Sequence, residues 1–300
     1  MKLVHSRPEG RGCSVLFALI LFVAPLIVGL TSRPAAAAEK TRLRVDDYQI
    51  DAELLPQTHR IVAKAKVKFT ALEDISVASF QLNNGLRITK LTDASNRPLS
   101  PERITQESTV RFGLNSGLAK DGSTTVNFEY EGTLESADDS PVQGLKLAYI
   151  GPDTSYLLYS GLWFPVSDYG INRFTALISI TVPSHMTVIG SGRATLSTPA
   201  KKGESSNTKT YTFGWGKPSF PGTIIAGTFQ EFKTDEAGLD LHVFFKPVHQ
   251  TLGAEYASTA IKEFTYFITQ YGLPPSQSLK VVEIPDDTVP AAWAPEPRNS

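Results

Sequence analysis

Alternation of apolar and polar residues is the main pattern between about Thr41 and Val248. Within Ile61–Phe69 every second residue is apolar, and three lysines lie between them. The same spacing recurs in Val126–Tyr130 and in Phe174–Val182. A period of two places successive side chains on opposite faces, so each run predicts a strand with one buried face. The chain is therefore predicted to be mostly β, an antiparallel sandwich or saddle.

The period changes after Pro247. Apolar residues then recur every three or four positions as far as Tyr271, which predicts an amphipathic helix of about five turns. Gly272 follows as a C-terminal cap, and Leu279–Ile284 predicts one further strand. The predicted apolar stripe of the helix comprises Leu252, Tyr256, Phe264, Phe267, Ile268 and Tyr271.

The first 38 residues have the pattern of a targeting segment. Basic residues precede the apolar run Ser14–Leu30, and the small residues Ala35–Ala38 follow it. This order predicts a signal peptide cleaved after Ala38, and thus export to the periplasm or the extracellular space. An uncleaved membrane anchor is the alternative, although the run is short and contains Pro25. The predicted organisation is a signal peptide at 1–38, a β domain at 39–249, and a helix and strand at 250–300.

Composition narrows the function classes. The 300 residues are 41% hydrophobic and carry a formal net charge of -1, with a single cysteine, Cys13, inside the signal. A chain with this charge balance offers no basic surface for nucleic acid. The exported part contains no cysteine, so its stability has to come from its core rather than from disulfides.

Few residues suggest catalysis. No two of the histidines His59, His185, His242 and His249 have the four-residue spacing of a helical zinc site, so no metal or catalytic residue is predicted. An aromatic group is more informative, because it predicts either a platform for a sugar or peptide or simply the sheet core. It contains Tyr156, Tyr159, Trp163, Phe164 and Tyr169.

Several segments in order resemble the aminopeptidase N family of zinc metallopeptidases, the gluzincins. The resemblance starts at the aromatic-Phe-Pro-x-x-Asp turn Trp163–Asp168 and continues through Asn172–Thr175 and Ile178–Pro183. It implies an N-terminal β saddle that packs against a thermolysin-like catalytic domain, with zinc in the complete enzyme. Residues 250–300 then correspond to the truncated start of that catalytic domain. Later segments in the same order are Val188–Gly192, Tyr211–Phe213, Pro221–Gly222, Ala226–Phe229, Tyr271–Pro274 and Val281–Pro285.

The chain departs from the family at the catalytic motifs. Asp286–Trp293 stands where the family has G-x-M-E-N, and neither Met-Glu-Asn nor H-E-x-x-H occurs in the 300 residues. No catalytic residue, metal ligand or cofactor is therefore expected in this chain. The family's amine-binding Gln or Glu precedes the aromatic turn, where this chain has Tyr159–Gly161. Gln143 is a remote substitute, so the predicted substrate-binding residues are Gln143, Tyr159 and Trp163.

Three hypotheses remain. The first is an exported N-terminal region of an aminopeptidase-N-like protein without peptidase activity of its own. The second is a stand-alone peptide- or glycan-binding or scaffold module on the same β fold, and the third is an enzyme of unrelated mechanism. Because the helical stripe needs a cover, its predicted partner is a separately encoded catalytic domain or a second copy. A membrane is a partner only if the signal stays uncleaved.

Overall fold

The computed structural model describes residues 42–191, 193–195, 207–236, 238–273 and 278–285. The predicted signal peptide at 1–38 and the residues after Pro285 lie outside these ranges. In the described part, strands predominate, and one α-helix followed by a strand comes after them. The predicted fold class, a mostly β chain rich in antiparallel pairs with a helix and a strand at its end, is confirmed.

The elements follow the alternation seen in the sequence. Strand β2, for example, buries alternate residues from Ile61 to Phe69 and exposes the three lysines between them. In chain order the elements are β1 (Leu43–Leu55), β2 (Arg60–Ala71), β3 (Ile75–Gln81), β4 (Leu86–Asp93), β5 (Pro101–Ile104), β6 (Thr109–Leu118), β7 (Ser123–Thr133), β8 (Ala148–Tyr149), β9 (Thr154–Leu157), β10 (Phe174–Pro183), β11 (Thr187–Gly190), β12 (Arg193–Thr195), β13 (Thr208–Ser219), β14 (Ile224–Gly227), β15 (Gln230–Glu236), β16 (Leu239–Phe245), α1 (Gly253–Tyr271) and β17 (Ser278–Val282).

The largest sheet has seven strands in the order β12-β13-β10-β1-β2-β7-β4. Strand β1 pairs antiparallel with β2 but parallel with β10, with Ile50 opposite both Ala65 and Ile178. The parallel pair brings together residues more than a hundred positions apart in the chain. The segment that contains the aromatic turn lies between β9 and β10, so this pairing fixes the turn against the main sheet.

Two smaller sheets share a hydrophobic core with the main sheet. One has the order β3-β6-β5 and the other β11-β14-β9-β8. Phe80 of β3 contacts rings from three other strands, with centroid distances of 5.7 Å to Phe69, 6.0 Å to Phe112 and 5.5 Å to Phe128. Large apolar side chains from two sheets thus interlock, which is the expected source of stability for a β domain without disulfides.

A second hydrophobic cluster forms around the helix. Strands β15, β16 and β17 make a three-stranded sheet in which β16 and β17 run parallel, joined by α1. Leu239, Leu241 and Val243 of β16 pack with Ala257 and Ile261 of α1. Hydrophobic contacts therefore cross the boundary predicted between residues 249 and 250. The division of the chain into domains stays a prediction.

Small residues let the helix approach the sheet. The buried positions of α1 are Gly253, Ala257 and Ile261, each four residues apart. A Cβ added to Gly253 would lie 3.0 Å from the Cβ of Phe232 on β15, so glycine permits the contact there. No helix in the described ranges has both the length and the apolar character needed to cross a bilayer.

Candidate functional site

Trp163 lies in the segment that joins β9 to β10, at the start of the predicted aromatic turn. Its side chain is fully buried, and its Nε1–H donates a hydrogen bond of 2.6 Å to the carbonyl oxygen of Gly222. Gly222 has a φ of +125°, and a Cβ there would lie 2.7 Å from the ring of Phe164. Only glycine fits this position without a shift. Trp163 therefore lies in the core and anchors the turn through this hydrogen bond.

Tyr159 is almost buried, with 8% of its surface exposed. Its ring stacks on Tyr169 at a centroid distance of 5.0 Å. Its hydroxyl is buried and has no hydrogen-bond partner among the described residues. Burial raises the pKa of Tyr159 well above its ordinary value, and the neighbouring Tyr169 and Asp168 raise it further. The phenol therefore stays neutral across the physiological pH range.

We give the name shelf to Tyr169, Ile171, Arg173 and Phe220; the rings of Tyr169 and Phe220 both contact the ring of Tyr159, with centroid distances of 5.0 and 6.1 Å. Tyr169 is 48% exposed and Ile171 is 75% exposed. The guanidinium of Arg173 lies 5.6 Å from the ring centre of Phe220. Tyr169 offers an exposed ring, and such rings can stack on a sugar ring or on an aromatic side chain of a peptide.

The predicted substrate residues have different surroundings. Tyr159 and Trp163 both contact the ring of Phe164, at centroid distances of 6.0 and 4.8 Å. Gln143 lies outside this aromatic group, on an exposed turn between β7 and β8. The arrangement does not test the substrate-binding roles of Gln143, Tyr159 and Trp163, which stay predictions.

Two histidines lie within hydrogen-bond distance of carboxylates, in pairings that the sequence analysis missed. His242 Nδ1 lies 2.5 Å from Glu231 Oε1, and His242 Nε2 lies 3.2 Å from Asp240 Oδ2. The hydrogen bond from His242 is the main cause that lowers the pKa of Asp240. His249 Nδ1 lies 2.8 Å from Glu283 Oε1. The spacing of Asp240 and His242 by two in a strand was the available signal, since it places them on one face.

These donors do not fit a metal site. The two ring nitrogens of His242 point in opposite directions, so Glu231 and Asp240 hold the ring from two sides instead of converging with it on an ion. In the part of the chain that the structure describes, no group of three His, Cys, Asp or Glu side chains is placed to hold a metal.

The predicted stripe of α1 divides between two environments. Phe264 packs against the second cluster and Ile268 is half-buried. The other four side chains are exposed, and we call them the aromatic side of α1, counting with it Leu252, which directly precedes the helix. They are Leu252 (38% exposed), Tyr256 (50%), Phe267 (54%) and Tyr271 (81%). The division arises because the sheet packs against the helix face that carries the small residues Gly253 and Ala257.

Comparison with known proteins identifies the fold. No family model and no curated protein matches the sequence. Among solved structures, the M1 zinc metallopeptidase of Deinococcus radiodurans matches with a TM-score of 0.62 and 18% identity, covering 81% of this chain and 56% of that chain. A mutant of that enzyme matches at 0.62 and 17%, covering 80% and 56%. The mutant bound to a Tyr-Ser-Ala substrate matches at 0.59 and 18%, with the same coverage of 80% and 56%.

These likenesses define the fold class of the chain. The described residues share the fold of M1 zinc metallopeptidases, the enzymes of the aminopeptidase N family, and the resemblance found in the sequence is confirmed at the level of fold. The chain spans only 56% of the length of the first of these enzymes.

Proposed function

We propose that this chain is the exported N-terminal region of an M1-type metallopeptidase-like protein and has no peptidase activity of its own. The observation that carries the proposal is the unequal coverage. The fold match takes in 81% of this chain but 56% of the solved enzyme, so the chain corresponds to part of such an enzyme.

The residues themselves support a non-catalytic role. The 300 residues contain no H-E-x-x-H, which in this kind of enzyme supplies two zinc ligands and the base that activates water. The imidazole of His242 is held by Glu231 of the neighbouring strand β15, and that of His249 by Glu283, which directly follows β17. Zinc is implied for the complete enzymes by their names, and in this proposal it belongs to a part that these 300 residues do not supply.

The β fold has a structural task in this proposal. Its core holds the aromatic turn rigidly through Trp163 and Gly222. Its last sheet presents α1 with one side packed and the aromatic side open. The basic start, the apolar run and the small residues that end at Ala38 support export.

The test uses the purified chain that begins at Glu39. We expect no stoichiometric zinc by mass spectrometry and no release of amino acid from aminoacyl reporter substrates, with the Deinococcus radiodurans enzyme as the positive control. One equivalent of tightly bound zinc together with chelator-sensitive hydrolysis would overturn the proposal. Mass spectrometry of the exported protein is expected to find Glu39 first, and retention of Met1 on membranes would establish the anchor instead.

A stand-alone binding module is the second candidate, and the exposed shelf favours it. Tyr169 and Ile171 are exposed, and the guanidinium of Arg173 lies over the half-buried ring of Phe220. Titration with chitotriose and with the tripeptide Tyr-Ser-Ala, monitored by NMR, tests this function. Saturable binding that Tyr169→Ala abolishes supports the module, whereas no shift at millimolar ligand removes it.

A further inference from the structure

His242 lies between two carboxylates on the face of the three-stranded sheet that is opposite to α1. Its Nδ1 is 2.5 Å from Oε1 of Glu231 on the edge strand β15, and its Nε2 is 3.2 Å from Oδ2 of Asp240 on β16. Only 18% of the His242 side chain is exposed, and its ring stacks on Phe244 at a centroid distance of 6.3 Å. Both ring nitrogens are thus held within hydrogen-bond distance of a carboxylate oxygen.

The two contacts determine the protonation state of the ring. An ionised carboxylate only accepts hydrogen bonds, and a neutral imidazole has a single N–H to donate. A neutral His242 would therefore bond to one carboxylate and turn a lone pair toward the other. The protonated ring donates to both carboxylates, so the geometry is that of the charged form. The hydrogen bond from His242 is also the main cause that lowers the pKa of Asp240.

Two lysines complete the set of charged groups around this ring. Lys233 of β15 and Lys280 of β17 are the residues directly opposite His242 in the two strand pairings. Lys233 Nζ lies 3.1 Å from Oδ1 of Asp240, and Lys280 Nζ donates a hydrogen bond of 3.3 Å to the carbonyl oxygen of Gly190. The lysines oppose a charge on the ring, but each ammonium has an acceptor of its own. The two carboxylates are in direct contact with the ring, so their attraction outweighs this repulsion.

We propose that His242 is a proton-dependent clamp that fastens the edge strand β15 to β16 through Glu231 and Asp240. When the ring loses its proton, one of the two bonds is lost. The stabilisation is therefore present below the range in which histidines ordinarily titrate, near about pH 6.5, and is lost as the pH rises above it. Phe232 of β15 lies close to Gly253 of α1, so the start of the helix depends on the same clamp.

Hydrogen exchange of the chain from Glu39, measured by mass spectrometry at about pH 6 and about pH 8, tests the clamp. Protection factors are compared, because they correct for the intrinsic pH dependence of amide exchange. We expect the protection of amides in β15 to be about threefold to tenfold lower at the higher pH, which corresponds to one charge-assisted hydrogen bond at a partly exposed site. Amides in β2 belong to the other core and should keep their protection.

Substitution of single histidines assigns the effect. His242→Gln should remove the pH dependence of β15, because glutamine does not titrate. The matched control is His249→Gln, since among the described residues His249 has one carboxylate partner, Glu283, which a neutral ring also satisfies. The control should retain the full pH dependence. Asp240→Asn should weaken it, because the asparagine amide is able to donate to a neutral Nε2.

Several outcomes contradict the clamp. Equal protection of β15 at the two pH values overturns it, as does a pH dependence that survives His242→Gln or disappears in His249→Gln. Nuclear magnetic resonance gives a readout without a variant: at about pH 6 both ring N–H protons of His242 should be observable, because the carboxylates hold them, and absence of either contradicts the two bonds. Circular dichroism checks the fold of each variant, and Asp240→Asn serves instead if His242→Gln fails to fold. None of these results bears on the proposed function, because the clamp takes no part in zinc binding or hydrolysis.

Discussion

Ile261→Ala is a direct perturbation of the second hydrophobic cluster. Ile261 is 9% exposed and packs with the inner face of β16. Replacement of a buried isoleucine by alanine costs about 2–5 kcal/mol, and we expect about 3 kcal/mol here because the site lies at the rim of a small cluster. A helix of this length is marginal in water without such contacts. In this variant α1 should therefore unfold before the main sheet does.

Hydrogen exchange measured by mass spectrometry reads out this difference. Since about 1.4 kcal/mol is a tenfold change, amides in α1 should exchange roughly a hundredfold faster in Ile261→Ala. Amides in β2 should change little, because β2 belongs to the other core. The control is Tyr266→Ala on the exposed side of the same helix. Equal acceleration in β2, or no acceleration in α1, would refute two separately stabilised clusters.

Three further predictions concern single residues of the β domain. Gly222→Ala should lower stability by about 2–4 kcal/mol in thermal or urea unfolding, because the position combines a positive φ with close ring contact. Tyr159→Phe should be neutral or stabilising, since its hydroxyl has no partner in the described structure, whereas Tyr48→Phe loses a 2.7 Å bond to the Pro165 carbonyl and should cost about 1 kcal/mol. Asp93 has a pKa lowered to about 2, mainly by a hydrogen bond from Asn115. Because its pKa is lowered in the folded state, ionised Asp93 stabilises the fold above about pH 4, and this stabilisation is lost as the pH falls from about 4 toward 2. The difference in melting temperature between the unmodified protein and Asp93→Asn should therefore disappear in that window.

Much of the fold follows from local pattern. The alternation from Ile61 to Phe69 correctly predicted the inner face of β2, because one face of a strand in a sandwich must be apolar. The period of three to four after Pro247 correctly predicted a helix, which ends at Tyr271. Whether two strands pair parallel or antiparallel was harder to predict from the sequence. The parallel pairing of β1 with β10 depends on a connection of more than a hundred residues, which no local pattern records.

The face of the helix shows where the sequence misleads. Bulky residues at helical spacing indicated the stripe, yet the buried positions are Gly253, Ala257 and Ile261. Small residues contribute little to an apolar pattern, although they allow the closest approach between a helix and a sheet. Only the contact of Gly253 with Phe232 reveals that preference.

The candidate site was predictable as a region but not in its detail. The aromatic turn was identified from Trp163 to Asp168, and it does lie beside the main sheet. Residue type alone does not say that Trp163 is buried and bonded to Gly222 while Tyr169 is exposed. The bond of Trp163 depends on the backbone of a distant loop, at 221–223, which the residues of the turn do not record.

The most direct test of the central claim is the nucleotide sequence downstream of codon 300 in the genome, translated in all frames. The account predicts H-E-x-x-H with a downstream Glu, preceded by G-x-M-E-N, because it proposes that the chain is the N-terminal part of a metallopeptidase. A downstream sequence without these motifs in any frame, and without a neighbouring gene that encodes them, would contradict the account and leave the stand-alone module.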